Sequence, residues 1–177
     1  MGYSLEKICS KTVTDIRTGW TIQLESLGDE GKMLISGIER TAGWCEKEIE
    51  NTSSPLSLMA ICEAGTDAPR AILEITDARK SKDPSYKFLN IFLEPRLILD
   101  YKDEIHHKDV VEITKVVTFA FVEVLKMAIM NKTEKLKIYG RSAEMLSVFD
   151  TLVGNVEQSG SENLYRQGKW LVIEIKR

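Results

Sequence analysis

The chain has 177 residues, of which 43% are hydrophobic and 29% charged, a composition typical of one globular domain with an ordinary apolar core. The net charge of −3 argues against a general nucleic-acid binder, since such a protein needs a basic face to displace counterions from phosphates. Cys9, Cys45 and Cys62 form no CxxC pair, so neither a disulfide framework nor a zinc site is predicted, and a cytoplasmic protein is expected.

The N-terminal part of the chain gives mixed signals. Residues 1–19 combine helix-like apolar spacing with a β-branched run, so we interpret them as an N-terminal extension of undefined structure ahead of a single domain at 20–177. Apolar and polar residues alternate from Trp20 to Glu25, which predicts a short first strand. Residues 28–51 then predict one or two amphipathic helices.

Three β-rich runs follow in the middle of the chain. The runs at 56–64 and 70–77 are separated by a cluster of turn-forming residues, so they predict an antiparallel hairpin. Residues 86–94 (YKFLNIFLE) form a nearly continuous apolar run that Pro95 closes. Such a run indicates a strand at the centre of a sheet.

A long helix is predicted next. Asp109 is a suitable N-cap and Glu112 completes a capping-box pattern, so the helix is expected to run from Asp109 to about Asn131. Its polar side chains form one narrow stripe, which indicates a helix that is covered on most of its other sides. The apolar part, residues 116–130, is shorter than the roughly 20 residues of a membrane span and contains two charges, so no membrane partner is expected.

The last third of the chain predicts a strand, a helix and a strand. Residues 135–139 form a short strand, Ser142 caps a helix to about Val153, and 170–176 form a terminal strand. The polar stretch 155–168 is expected to be an exposed, mobile loop. A right-handed βαβ connection is expected for the long helix and its flanking strands. The predicted fold class is α/β (α+β), with a mixed, mainly antiparallel central sheet flanked by helices.

This order of elements resembles the GNAT superfamily, the acyltransferases related to Gcn5-type N-acetyltransferases. The resemblance covers roughly residues 20–177. The segment NIFLEP at 90–95 resembles the fourth GNAT strand, the segment that starts with KLKIY at 135–139 resembles the fifth strand and its following helix, and KWLVIEIK resembles the final strand. The resemblance implies a GNAT-like fold.

The chain lacks two features that the resemblance leads one to expect. A working GNAT protein has a Q/R-x-x-G-x-G/A loop between the fourth strand and the third helix, whose backbone N–H groups bind the pyrophosphate of the coenzyme. This chain has no glycine between Gly65 and Gly140, and the equivalent segment 96–108 carries acidic residues that would repel a pyrophosphate. Phe149 lies near the place where many GNAT proteins have a tyrosine that protonates the leaving thiolate.

The resemblance therefore implies a degenerate GNAT-like protein that lacks normal acetyl-CoA-dependent activity, has no assigned cofactor and acts through protein or ligand contacts. The first alternative is a divergent N-acyltransferase that uses acetyl-CoA or another acyl-CoA. In that case Glu94 is the candidate general base, and Leu93, Arg96 and Asp109 are the candidates for holding the coenzyme. Otherwise Glu94 is interpreted as a strand-end carboxylate in solvent or paired with Arg96.

The second alternative is an unrelated α+β interaction module that dimerises. The contact would be an apolar sheet edge or the unusually apolar connection that contains Leu97, Ile98, Leu99 and Ile105. A protein partner or a homodimer is compatible with the sequence, whereas a nucleic-acid partner is not expected.

A histidine pair is a candidate for a metal site and for a catalytic base. His106 and His107 have the residue type of metal ligands, but their spacing fits no closed ligand set, so no metal is expected. Cys62 would need one of these histidines as a base to act as a nucleophile, and a buried structural cysteine is the favoured interpretation.

Overall fold

The structure is a computed structural model, and it describes residues 2–97, 107–158 and 163–176. Its strands are β1 (Tyr3–Lys7), β2 (Leu56–Glu63), β3 (Pro69–Asp77), β4 (Tyr86–Leu93), β5 (Lys135–Tyr139), β6 (Leu164–Gln167) and β7 (Trp170–Glu174). Its long helices are α1 (Ser10–Ser26), α2 (Gly28–Glu50), α3 (His107–Met130) and α4 (Ala143–Gln158).

The strands form one seven-stranded sheet in the order β1-β2-β3-β4-β5-β7-β6. β1 runs antiparallel to β2, and β7 runs antiparallel to both β5 and β6. β4 and β5 are parallel, with Tyr86 opposite Leu136, and the connection between them contains α3, as a strand-helix-strand crossover requires. The predicted fold class, a mixed and mainly antiparallel sheet with flanking helices, is therefore confirmed.

Consecutive strands β2 and β3 are neighbours in the sheet, as predicted from the sequence. Only five residues connect them, which is too short for a parallel crossover, so the pair is a hairpin. Gly65 takes a left-handed backbone conformation in this turn, and the Glu63 N–H donates to the Ala68 carbonyl at 3.0 Å. The turn-forming residues therefore predict this connection correctly.

The chain divides into two compact units, Met1–Glu74 with Ile91–Phe121 and Ile75–Asn90 with Val122–Arg177. In the first unit, α1 packs its buried side chains Val13, Ile16, Trp20 and Leu24 into an apolar core. Their three- and four-residue spacing is that of one helical face. Side chains of α2, β2 and β3 complete this core, among them Ile38, Ala42, Cys45, Leu58 and Ile72.

The predicted strand from Trp20 to Glu25 is wrong, because these residues belong to α1. Trp20, Ile22 and Leu24 alternate in the sequence and would share one face of a strand. In the helix they separate: Trp20 is 2% exposed and Leu24 is fully buried, whereas Ile22 is 60% exposed. Residues 1–19, whose sequence pattern leaves helix and strand open, include β1 and the first half of α1.

Helix α3 differs from its prediction at the start and on its surface. It begins at His107, so Asp109 lies in the first turn and is not the N-cap. Its end at Met130 agrees with the prediction to one residue. The helix is not covered on most sides, because its buried residues Val116, Ala120, Val124 and Ala128 form one face, and Val122 and Ile129 on another side are exposed.

The C-terminal segment contains more regular structure than predicted. α4 extends to Gln158, and the stretch 155–168, for which the sequence predicts a loop, contains the end of α4 and strand β6. β6 pairs with β7 through a tight turn in which Gly168 takes a left-handed conformation. The predicted cap of α4 is confirmed, since Ser142 Oγ accepts a hydrogen bond from the Met145 N–H at 3.2 Å.

The second unit buries a lysine side chain on β5. Lys137 pairs with Asp83, and its ammonium also donates to Gln167 Oε1 at 3.1 Å. On the same strand, Tyr139 packs its ring on that of Trp170, with 4.9 Å between centroids. Within the described ranges, no helix has the length and apolar character needed to cross a membrane.

The close contact of α1 and α2 depends on Gly31. A Cβ at Gly31 would lie 1.8 Å from the Leu24 carbonyl oxygen, whereas a Cβ at Gly43 on the same helix would meet nothing within 4 Å. We expect Gly31→Ala to destabilise the protein by about 1–3 kcal/mol, because the two helices must move apart. Gly43→Ala should stabilise it by about 0.5–1 kcal/mol through helix propensity. Thermal unfolding followed by circular dichroism measures both, and shifts of equal sign would contradict this packing.

Candidate ligand-binding site

An apolar pocket lies between α1, α2 and the end of β4 in the first unit. Its volume is about 460 Å³, within the range typical of small-molecule sites. The walls are formed by Trp20, Leu24, Leu34, Gly37, Ile38, Thr41, Ile91, Phe92, Leu93 and Pro95. We call this the helix-hairpin pocket, after the antiparallel helix pair α1 and α2 that forms one of its walls.

The polar side chains in the wall of the helix-hairpin pocket already have hydrogen-bond partners. The indole N–H of Trp20 donates to the Pro69 carbonyl at 2.9 Å, and the Thr41 hydroxyl donates to the Gly37 carbonyl at 3.0 Å. These bonds fix the Trp20 ring and use the donor hydrogen of both groups, which leaves the Thr41 hydroxyl oxygen only as an acceptor. The wall therefore presents mainly hydrocarbon and aromatic surface.

A buried polar network lies next to this pocket. Glu94 follows β4 directly and is 1% exposed. Its Oε1 atom lies 2.6 Å from the Arg70 guanidinium, and its Oε2 atom accepts a hydrogen bond from Gln23 at 2.9 Å. The Glu94 N–H also donates to the Arg70 carbonyl at 2.9 Å, so backbone and side chain join the end of β4 to the start of β3.

The network continues from Arg70 to α3 and β1. The second terminal nitrogen of Arg70 lies 3.7 Å from Glu112 Oε1, and the Tyr3 hydroxyl donates a hydrogen bond to the same oxygen. Tyr3 also packs its ring on Phe119, with centroids 5.6 Å apart. One guanidinium thus lies between two carboxylates that belong to different elements.

The two carboxylates of this network have pKa values shifted in opposite directions. Burial raises the pKa of Glu94, although the Gln23 hydrogen bond and the charges of Arg70 and Arg96 oppose that shift. The hydrogen bond from Tyr3 lowers the pKa of Glu112, whose side chain retains some exposure to solvent. Glu94 therefore has the environment of a desolvated group and Glu112 that of a stabilised anion.

The four candidate site residues predicted from the sequence do not lie together in one site. Glu94 lies in the buried network and contacts Arg70 and Gln23, so it is not a carboxylate in solvent. Leu93 lines the helix-hairpin pocket, and Arg96 is exposed. The Asp109 backbone lies in the first turn of α3, and its side chain is outside the described part of the structure.

Cys62 and Phe149 are core residues. Cys62 is buried, and burial raises the pKa of its thiol to about 11, which leaves a poor nucleophile at neutral pH. Phe149 is buried and packs where a Cβ at Gly140 would approach its ring to 3.0 Å. A phenyl ring there fills space but has no proton to donate.

The histidine pair and the apolar connection fall largely outside the described residues. His106, Ile98, Leu99 and Ile105 lie there, and of His107 only the backbone is described, as the first residue of α3. Leu97 is buried in the chain itself. Within residues 2–97, 107–158 and 163–176, no group of three or more His, Cys, Asp and Glu side chains is arranged to hold a metal ion.

Sequence reasoning missed most of this site. It did not single out Arg70, Gln23 or Tyr3, and it used Glu112 only as a capping-box partner. The pocket wall from α1 was also missed, because the alternating pattern around Trp20 predicts a strand. An arginine among the apolar residues of a β-rich run was the one available signal, since a buried strand arginine normally requires a carboxylate partner.

Comparison with known proteins identifies the fold. No protein-family model and no curated protein matches this chain. A protein from Desulfovibrio desulfuricans, described as an acetyltransferase of the GNAT family, has a TM-score of 0.50 at 7% identity, over 97% of this chain and 96% of that one. A chimera of the spermidine N-acetyltransferase SpeG from Vibrio cholerae and hSSAT has a TM-score of 0.51 at 10% identity, over 98% and 96%.

The chain therefore has a GNAT superfamily fold, as the resemblance implied. At identities this low the likeness establishes the fold and carries no information about activity. Function has to be argued from the residues of the site.

The buried ion pair can be tested by removing one or both partners. Arg70→Met leaves the Glu94 carboxylate buried without its nearest cation, so we expect a loss of about 3 kcal/mol in the free energy of unfolding. The double variant Arg70→Met/Glu94→Leu should recover most of that loss. Arg17→Met, which removes a surface guanidinium from Glu39 and Glu46, is the control and should change stability little. Urea unfolding gives all three values, and additive losses in the double variant would contradict the coupling.

The Tyr3 hydrogen bond to Glu112 should appear in the pH dependence of stability. Because the folded-state pKa of Glu112 is below its ordinary value of 4.5, its stabilising contribution is complete above pH 4.5 and is lost as the pH falls below it. Both Glu112→Gln and Tyr3→Phe should therefore flatten the fall in stability on acidification. Urea midpoints measured through this pH range test the claim, and it fails if either variant keeps the wild-type slope.

Proposed function

We propose that this protein uses a GNAT fold for ligand binding without ordinary acetyl transfer from acetyl-CoA. The observation that carries the proposal is the position of Glu94. This carboxylate stands at the end of β4, where a general base would be needed, yet it is buried and held by Arg70 and Gln23. A base must reach the proton of the substrate amine, and a carboxylate that is 1% exposed and paired with Arg70 does not.

Three sequence features support the same proposal. The segment between β4 and α3 contains no glycine, so any backbone N–H group that approached a pyrophosphate would carry a Cβ beside it. Acidic residues in that segment add unfavourable charge. Phe149 supplies no proton for a departing thiolate. Base, phosphate loop and acid are thus all altered together.

A divergent N-acyltransferase is the second candidate function, and one observation favours it. Burial raises the pKa of Glu94, and a carboxyl group with a raised pKa is better matched to proton transfer near neutral pH than an ordinary one. In this alternative the coenzyme would be held near Leu93, Arg96 and Asp109. Glu94 would have to leave Arg70 before it could accept a proton.

Calorimetric titration with acetyl-CoA separates the two functions. We expect no saturable heat and no change in melting temperature, because the residues that normally hold the pyrophosphate are missing. A coenzyme present at about 100 times its dissociation constant would stabilise the fold by about 2.7 kcal/mol. A shift of that size, together with release of free thiol when amines are added, would contradict the proposal. Loss of that release in Glu94→Gln with coenzyme binding retained would then identify Glu94 as the base.

A further inference from the structure

We infer that the helix-hairpin pocket binds the uncharged hydrocarbon portion of a small hydrophobic ligand, aliphatic or aromatic. This inference rests on the proposed ligand-binding function and specifies the chemistry of its ligand. The first observation is the volume of about 460 Å³, which lies within the range of small-molecule binding sites. An open space of this size beside the core of the first unit is available to a ligand.

The second observation is the chemistry of the wall. Its aromatic surface comes from Trp20 and Phe92, and the polar atoms of Trp20 and Thr41 are already bonded to backbone carbonyls. The neighbouring buried charge, Glu94, contacts Arg70 and Gln23. A charged or strongly polar group placed in the pocket would lose water and gain no donor and no opposite charge from these side chains. A hydrocarbon group has no hydrogen bonds with water to lose, and it gains van der Waals contacts with the apolar wall.

The third observation is that the two aromatic rings of the wall are held in place before a ligand arrives. The Trp20 ring is fixed by its hydrogen bond to Pro69, and the Phe92 ring packs on Trp44 with centroids 5.6 Å apart and a tilt of 53°. A pocket with fixed walls needs little ordering when it is occupied. The site is therefore suited to direct binding of a small apolar group.

The fourth observation is Gly37. Glycine in the middle of a helix is less stable than alanine, yet this one faces the pocket, and a Cβ there would meet nothing within 4 Å. A larger side chain at this position would extend into the open space. Gly43 lies on the same helix, has the same empty surroundings and does not line the pocket, so it is a matched control.

The test uses the full-length protein and the uncharged fluorescent probe N-phenyl-1-naphthylamine. We expect saturable binding to the wild type, binding weaker by about an order of magnitude or more in Gly37→Leu, and wild-type binding in Gly43→Leu. Both variants should keep or raise the melting temperature, because both replace a helical glycine. Absence of probe binding to the wild type, or equal binding by the two variants, would overturn the inference.

Competition with straight-chain alcohols tests the chemistry of the ligand. Displacement of the probe should improve by about fourfold for each added methylene group until the pocket is full. A competitor series that shows no dependence on chain length would overturn the assignment to hydrocarbon. Sedimentation at the same protein concentrations checks for a second copy of the chain, and probe binding that disappears on dimerisation would assign the pocket to an interface instead.

Parallel titrations keep this inference separate from the proposed function. Probe binding without acetyl-CoA binding supports both. If the protein binds both the probe and acetyl-CoA, only the proposed loss of coenzyme binding is contradicted. Binding of neither contradicts the pocket inference and leaves the loss of acetyl transfer supported.

Discussion

The guanidinium of Arg70 is the group on which the arrangement of the first unit depends. It lies 2.6 Å from Glu94 and 3.7 Å from Glu112, and Gln23 and Tyr3 supply hydrogen bonds to the same two carboxylates. A carboxylate as deeply buried as Glu94 is strongly destabilising without its cation. The start of β3, the end of β4, α1, α3 and β1 must therefore keep their positions if this charge is to remain compensated.

The same arrangement gives the candidate site its character. Leu93 and Pro95 line the helix-hairpin pocket, whereas Glu94 between them contacts Arg70 and Gln23. Hydrocarbon from Leu93 and Pro95 therefore faces the pocket, and the Glu94 carboxylate faces the network. An enzyme that deprotonates an amine needs its base on the side of the substrate. Here the Glu94 carboxylate does not line the pocket, although the residues on both sides of it do.

Strands β2 to β5, strand β7 and helices α3 and α4 could be predicted because their signals are local. The apolar run of β4, the turn before β3 and the Ser142 cap each depend on a few consecutive residues. The strand predicted from Trp20 to Glu25 failed because three alternating apolar residues fit a strand or a helix, and only the packing of α1 on α2 decides between them.

The candidate site was less predictable because its contacts are distant in sequence. Tyr3 and Glu112 are 109 residues apart, and Gln23 and Glu94 are 71 apart. Neither pair has a local pattern that would reveal it. The absence of glycine before α3 and of a hydroxyl at Phe149 is visible in the sequence alone.

The most direct test of the central claim is a nitrogen-15 correlation spectrum of the protein recorded while acetyl-CoA is added to millimolar concentration. If Glu94 is committed to Arg70 and the phosphate loop is absent, the amide signals of Glu94, Arg96 and the first turn of α3 should not move. Saturable shifts of those signals would show that the coenzyme occupies the end of β4, and would contradict a GNAT fold that has lost coenzyme binding.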